Sequence, residues 1–231
     1  MHSPLVLTLL FSVALMPMLS NSSPADDGAL IALRGGNSPA ARPCMSCHGS
    51  DGKGMPAAGL PRLAGLPAPY IEKQLHDFRT GSRANPVMRE VAMGLSESDT
   101  SGVAEYYAAM ARVNAVSPAA GRFSSDIGST LALRGAWDRN IPECTLCHGP
   151  AGVGVGASFP PLAGQSTAYI QSQLNAWRQP TSSPGRRNDP NGLMGHIARS
   201  LTPTEIKAVA DYFDGLGESG EPLDASQHRL R

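Results

Sequence analysis

Lysine is scarce in this sequence. Lys53, Lys73 and Lys207 are the only three among 19 basic residues, so the positive charge is almost all arginine. Acidic residues also number 19, and the signs balance in each half of the chain. That neutrality excludes the basic field that a nucleic-acid partner or strong adhesion to anionic lipid requires. Beyond residue 19 no apolar run approaches the roughly 20 residues that cross a bilayer. No stretch shows the alternation of a half-buried strand. Cysteine is confined to four residues, and all four fall in two short motifs.

The motifs are Cys44-Met45-Ser46-Cys47-His48 and Cys144-Thr145-Leu146-Cys147-His148, 100 positions apart. Cys-x-x-Cys-His is the attachment signature of c-type haem. Its two thiols add to the haem vinyl groups, and the adjacent imidazole is placed to ligate iron. A zinc ribbon separates its cysteine pairs by about 15–20 residues, not by a domain. A thioredoxin-like pair needs a βαβ context, whereas both motifs are flanked by Gly and Pro. Neither rival, nor a structural disulfide, explains a His after each second cysteine. The chain is therefore expected to bind two haem c groups, with His48 and His148 as proximal iron ligands.

The first residues look like an export signal. Leu5 to Leu19 is apolar, is broken by Pro17, and leads into Ser20 to Ser23. Only His2 stands in for a basic n-region, which leaves an uncleaved anchor as the alternative reading. An exported, periplasmic protein fits haem attachment to thiols.

The halves repeat each other well beyond the motifs. Ala32-Leu33-Arg34-Gly35 returns as Ala132-Leu133-Arg134-Gly135, and Tyr70-Ile71 as Tyr169-Ile170. Gln74-Leu75 returns as Gln173-Leu174, and Phe78-Arg79 as Trp177-Arg178. The offset drifts from 100 to 99 and then to 106, so half two gains residues within Pro180 to Pro190. The expected organisation is a signal peptide at 1–23, one domain at 24–114, a linker at 115–124, and a second domain with a polar tail at 125–231. Each domain reads as all-α, helices separated by Gly/Pro loops. Asp26 or Asp27, and Ser125 or Asp126, are candidate caps for the opening helices. Ser96-x-x-Asp99 and Thr202-x-x-Glu205 predict capping boxes for the closing ones. A domain this small has a thin apolar core, which a covalently held haem would complete.

Met88 and Met194 occupy equivalent places late in each half. Each is followed by Ala four residues on and Leu seven residues on (Ala92 and Leu95, Ala198 and Leu201). As sixth ligands their thioethers would raise the reduction potential. Most methionines are core filler, but a matched pair argues for ligation. The rivals Met93 and His196 lack counterparts, since the equivalent positions hold Arg199 and Glu90. Pro61 and Pro160, 12–13 residues after each His, offer carbonyl acceptors for the axial imidazoles. Arg79 and Arg178 are candidate neighbours of the haem propionates, with a solvated helix end as the alternative.

Two tandem domains carrying Cys-x-x-Cys-His, Pro-x-Leu-x-Gly, Tyr-Ile-x-x-Gln-Leu, Phe/Trp-Arg and a late Met resemble the dihaem cytochrome c4 family. The segment Gln74 to Asn85 looks especially like it. The resemblance implies two cytochrome c-like domains, each wrapped around one covalent haem with His/Met ligation. Cys44, Cys47, His48 and Met88 would serve the first, and Cys144, Cys147, His148 and Met194 the second. It also implies periplasmic electron transfer, for instance from a quinol-oxidising complex to a terminal oxidase, with peripheral membrane association. The alternative is the electron-accepting cytochrome subunit of a periplasmic dehydrogenase complex. A dihaem enzyme, such as a peroxidase or thiosulfate dehydrogenase, would need an open or unusual iron ligand. The matched methionines argue against that.

Overall fold

The structure is a computed structural model that describes residues 24–113, 126–180, 183–189 and 191–216. The expected signal segment, the linker, the tail from 217 and three positions of the Pro180–Pro190 insertion lie outside the described residues. Ten α-helices account for nearly all regular structure among the described residues, and β-pairing is limited to isolated bridges. The first half carries α1 (Pro24–Arg34), α2 (Met45–His48), α3 (Ala68–Thr80), α4 (Pro86–Met93) and α5 (Glu97–Ala109). The second carries α6 (Ile127–Arg134), α7 (Cys144–His148), α8 (Thr167–Arg178), α9 (Leu193–Ser200) and α10 (Pro203–Asp214).

Each half closes by crossing its first helix over its last, α1 on α5 and α6 on α10. Glycine makes the crossing possible. A Cβ at Gly28 would lie 1.9 Å from the Gly102 carbonyl oxygen, and one at Gly128 would lie 2.2 Å from that of Ala208. Backbones that approach so closely leave no room for a side chain. Each half also has its own apolar cluster: Leu75, Phe78, Val103 and Tyr107 belong to the first, and Leu174, Ile206, Val209 and Phe213 to the second.

The helix ends follow the expected signals with one correction. Asp126 caps α6 by accepting from the Ser129 amide at 2.8 Å. Asp26 and Asp27 instead lie within α1, which is helical from Pro24, so neither is its cap. Both capping boxes form, at Ser96/Asp99 and Thr202/Glu205. The second is reinforced by Arg139, whose Nη2 lies 2.6 Å from Glu205 Oε1. That hydrogen bond, then the Thr202 amide and hydroxyl, pull the Glu205 carboxyl from 4.5 down to about 2.

The lowered pKa belongs to the folded state, so the tie stabilises fully above pH 4.5 and fades as pH falls toward about 2. A Glu205→Gln variant should therefore unfold at a lower temperature than the parent at neutral pH, with the gap closing through that window. Thr202→Ala should cost about 1 kcal/mol in chemical denaturation at neutral pH.

Candidate functional site

The Cys-x-x-Cys-His segments fold into single helical turns. Cys44 stands at the start of α2 and Cys144 begins α7. The spacing of three places both thiols on one side of a turn. None of the four cysteines is in a disulfide. Burial pushes the Cys44 thiol up to about 11 and the Cys144 thiol up to about 12. Among the described residues no three His, Cys, Asp or Glu side chains gather as a metal site.

His48 and His148 are each 7% exposed. Their Nδ1 atoms lie 2.9 Å from the Pro61 carbonyl oxygen and 2.8 Å from that of Pro160. A carbonyl only accepts, so Nδ1 carries the proton and Nε2 keeps its lone pair. Burial lowers both imidazole pKa values against the opposing pull of the carbonyl, and Arg83 adds a smaller lowering at His48. The rings are thus held neutral, as an iron ligand must be.

The carbonyls are placed by the same backbone net in both halves. Gly54 N donates to His48 O at 2.8 Å, and Gly154 N to His148 O at 2.7 Å. Leu63 and Ala64 donate to Gly52 O, as Leu162 and Ala163 do to Gly152 O. Gly65 N then reaches Tyr107 O, and Gly164 N reaches Phe213 O, which ties the loop to the last helix of each half. Gly54 and Gly154 have φ of 83° and 86°.

Met88 and Met194 lie in the first turns of α4 and α9, and both are half-buried against their half's apolar cluster. The Asn85 side chain caps α4 through the Met88 amide at 2.9 Å. In half two the cap is Gly192, and Asp189 accepts from Gly195 N at 2.7 Å, so Asn191 does not repeat the role of Asn85. The rival Met93 is 60% exposed. The rival His196 is also exposed, with Nε2 3.2 Å from Asn140 O. Arg79 is not a solvated helix end. It clasps backbone carbonyls, from Nε to Ala92 O and from Nη2 to Leu95 O, both at 3.0 Å. Arg178 is half-buried at the end of α8.

A mostly apolar cavity of about 430 Å³ in half two collects Cys144, Cys147, His148 and Met194, with Phe159 and Trp177 on its walls. The Trp177 indole nitrogen is buried with no hydrogen-bond partner. A buried donor without an acceptor is costly, and a carboxylate-bearing macrocycle in this cavity would supply one. Thiols, a neutral imidazole, a thioether and apolar walls all suit haem c. In half one Cys44, Leu63, Tyr70 and Met88 likewise gather on the apolar cluster.

The repeat did not reveal how the halves meet. Arg62 and Gln165 exchange two hydrogen bonds, Arg62 N to Oε1 at 3.1 Å and Nε2 to Arg62 O at 2.7 Å. Arg83 donates to Gln74 in its own half and to Tyr169 and Gln173 in the other. Arg186 donates to Gln173 in its own half and to Gln74 in the other. The Pro180–Pro190 insertion is therefore part of the interface. The equivalence of Arg83 and Arg186 was hidden because they are 103 positions apart, an offset found nowhere else in the repeat.

The fold and these two sites define a c-type cytochrome of two tandem haem domains. The cytochrome c family matches the chain twice, at residues 35–110 and 135–217. The thiosulfate dehydrogenase electron acceptor of Stutzerimonas stutzeri is 53% identical over 201 residues, 87% of this chain and 91% of that protein. The solved thiosulfate dehydrogenase of Marichromatium purpuratum superposes with a TM-score of 0.72 at 40% identity, over 89% of this chain but 42% of the other. Reduced cytochrome c4 from Pseudomonas stutzeri superposes at 0.66 with 31% identity, over 83% of this chain and 98% of the other. The chain belongs to the dihaem cytochrome c4 family. It is an electron-transfer protein that binds two haem c groups and works with redox partner proteins.

A Gly154→Ala variant should lose about 1 kcal/mol or more, since L residues are strained at this φ. Its Cβ would also meet Pro161 N at 2.7 Å, next to the carbonyl that holds His148. Thermal unfolding of the haem-loaded protein checks this, and an unchanged midpoint would contradict it.

Proposed function

We propose that this cytochrome accepts electrons from a periplasmic thiosulfate dehydrogenase and hands them on to a further redox protein. The observation that carries this reading is the 53% identity to a thiosulfate dehydrogenase electron acceptor across 91% of its length. The likeness to the Marichromatium thiosulfate dehydrogenase supports it, with this chain matching 42% of that longer one. The donor is then a dehydrogenase rather than a quinol-oxidising complex, which favours the dehydrogenase-linked alternative of the sequence reading. Export to the periplasm is supported by the apolar segment Leu5 to Leu19.

In this reading Cys44 and Cys47 hold one haem, and Cys144 and Cys147 the other. His48 with Met88, and His148 with Met194, ligate the two irons. Haem supplies one-electron exchange between ferrous and ferric iron. The chain's own residues tune that exchange. Pro61 and Pro160 fix the imidazole tautomer and raise ligand basicity. The thioethers favour the ferrous state and raise the potential. Apolar walls exclude water, which disfavours the extra charge of the ferric state. With both iron faces filled by protein, no position is left for a substrate. Two one-electron sites let one molecule take up a pair of electrons.

Each of the three lysines is paired with an aspartate, Lys53 with Asp51, Lys73 with Asp77 and Lys207 with Asp211. The protein therefore presents no ring of free lysines to an acidic partner.

Mixing the oxidised protein with active thiosulfate dehydrogenase and thiosulfate under anaerobic conditions should reduce both haems, at a rate that rises with enzyme concentration. Haems that stay oxidised there, yet are reduced by ascorbate, would exclude this donor. Met88→Ala and Met194→Ala should each lower one of two reduction waves and leave the other in place. An unaltered haem spectrum in either variant would overturn that ligand assignment.

A further inference from the structure

The two haem sites differ at one buried position on their last helices. Tyr107 and Phe213 hold the same place in the repeat, one residue after Tyr106 and Tyr212. Each accepts at its backbone carbonyl from the loop glycine, Gly65 N at 2.8 Å and Gly164 N at 3.0 Å. Each ring meets the preceding tyrosine edge-on, with centroids 5.1 Å apart in both halves. Each also packs on a glycine of the loop after the haem motif. A Cβ at Gly52 would lie 3.1 Å from the Tyr107 ring, and one at Gly152 would lie 2.7 Å from the Phe213 ring. Three matched contacts thus seat the two rings alike, and what differs is a single hydroxyl.

Phe213 shows what the ring faces. It lines the half-two cavity together with Cys144, Cys147, His148 and Met194. By the same seating Tyr107 walls the haem-one site, and it belongs to the apolar cluster on which Cys44 and Met88 pack. Tyr107 is 1% exposed, and its hydroxyl is buried without a hydrogen-bond partner among the described residues. Burial first, and nearby Cys44 second, push the phenol well above its ordinary value, so it keeps its proton.

A buried hydroxyl left unpaired is costly. Phenylalanine fills the same seat in half two without that cost. The cost is relieved if a group in the haem-one site takes the hydrogen. Haem c brings acceptors and no donor: carboxylates, thioether sulfurs and the electron-rich face of the ring. A hydroxyl beside it therefore turns its hydrogen inward. The positive end of that dipole, in a site walled by apolar groups, disfavours the extra charge of ferric iron.

We propose that the Tyr107 hydroxyl is a polar contact to haem one that half two lacks at this place, and that it raises the reduction potential of haem one alone. It biases an electron shared between the two sites toward the first. The duplication supplied two like sites, and one oxygen atom makes them unlike.

The inference rests on the haem assignment above but can fail separately from it. The test is a spectroelectrochemical titration of the purified dihaem protein. Tyr107→Phe removes one oxygen atom and keeps the ring. It should lower one wave, the same one that Met88→Ala lowers, and leave the other in place. Movement of both waves, or a rise in either, overturns the proposal. So does a fall in the wave that Met194→Ala lowers. Unmoved waves with an altered melting temperature are the outcome of a purely structural role and overturn it as well. If each methionine variant lowers its own wave while Tyr107→Phe moves none, the hydroxyl contact is refuted and the haem assignment stands. If neither methionine variant moves a wave, the ligand assignment fails, and a one-wave fall in Tyr107→Phe still supports the contact.

Discussion

The hydrogen bond from each buried imidazole to a proline carbonyl is the contact on which the rest of each half depends. It fixes which ring nitrogen carries the proton and which way the ring faces. To place that carbonyl, the loop after the His must turn back on itself twice, through Gly52 and Gly54 or Gly152 and Gly154. The loop must then be tied to the last helix, through Tyr107 O or Phe213 O. That helix is held in turn by a glycine crossing with the first one. One polar contact of about 2.9 Å in each half thus organises motif, loop and both terminal helices.

The interface obeys a different constraint. It is polar, and its charges are buried. Amide groups dominate it, with Gln165 clasping the Arg62 backbone and Gln74 and Gln173 each serving both arginines. The neutral amides fix the geometry, and the buried Asp77 carboxylate acts on Arg83. The arrangement specifies how the halves meet.

Much of the site was legible because covalent chemistry leaves fixed spacings. Cys-x-x-Cys-His needs no tertiary structure to be recognised, and duplication carried the signal from motif to loop to methionine. Pro61 and Pro160 were found for the same reason, and the imidazoles do meet their carbonyls. The capping boxes were legible because a cap is a local interaction. Contacts without a fixed spacing were misread or missed. Arg79 clasps carbonyls 13 and 16 residues away, which its place at a helix end does not announce. Gly28 and Gly128 are ordinary helix residues until a second helix crosses them.

The sequence by itself determined the two haem motifs, the helical class, the duplication and the candidate ligands, because each is encoded in residues a few positions apart. Tertiary structure alone decided how the halves join, which arginines are buried between them, and that the insertion supplies one of the two. Those contacts link residues about 100 positions apart, and no local pattern records which of sixteen arginines will lose its water when two domains close.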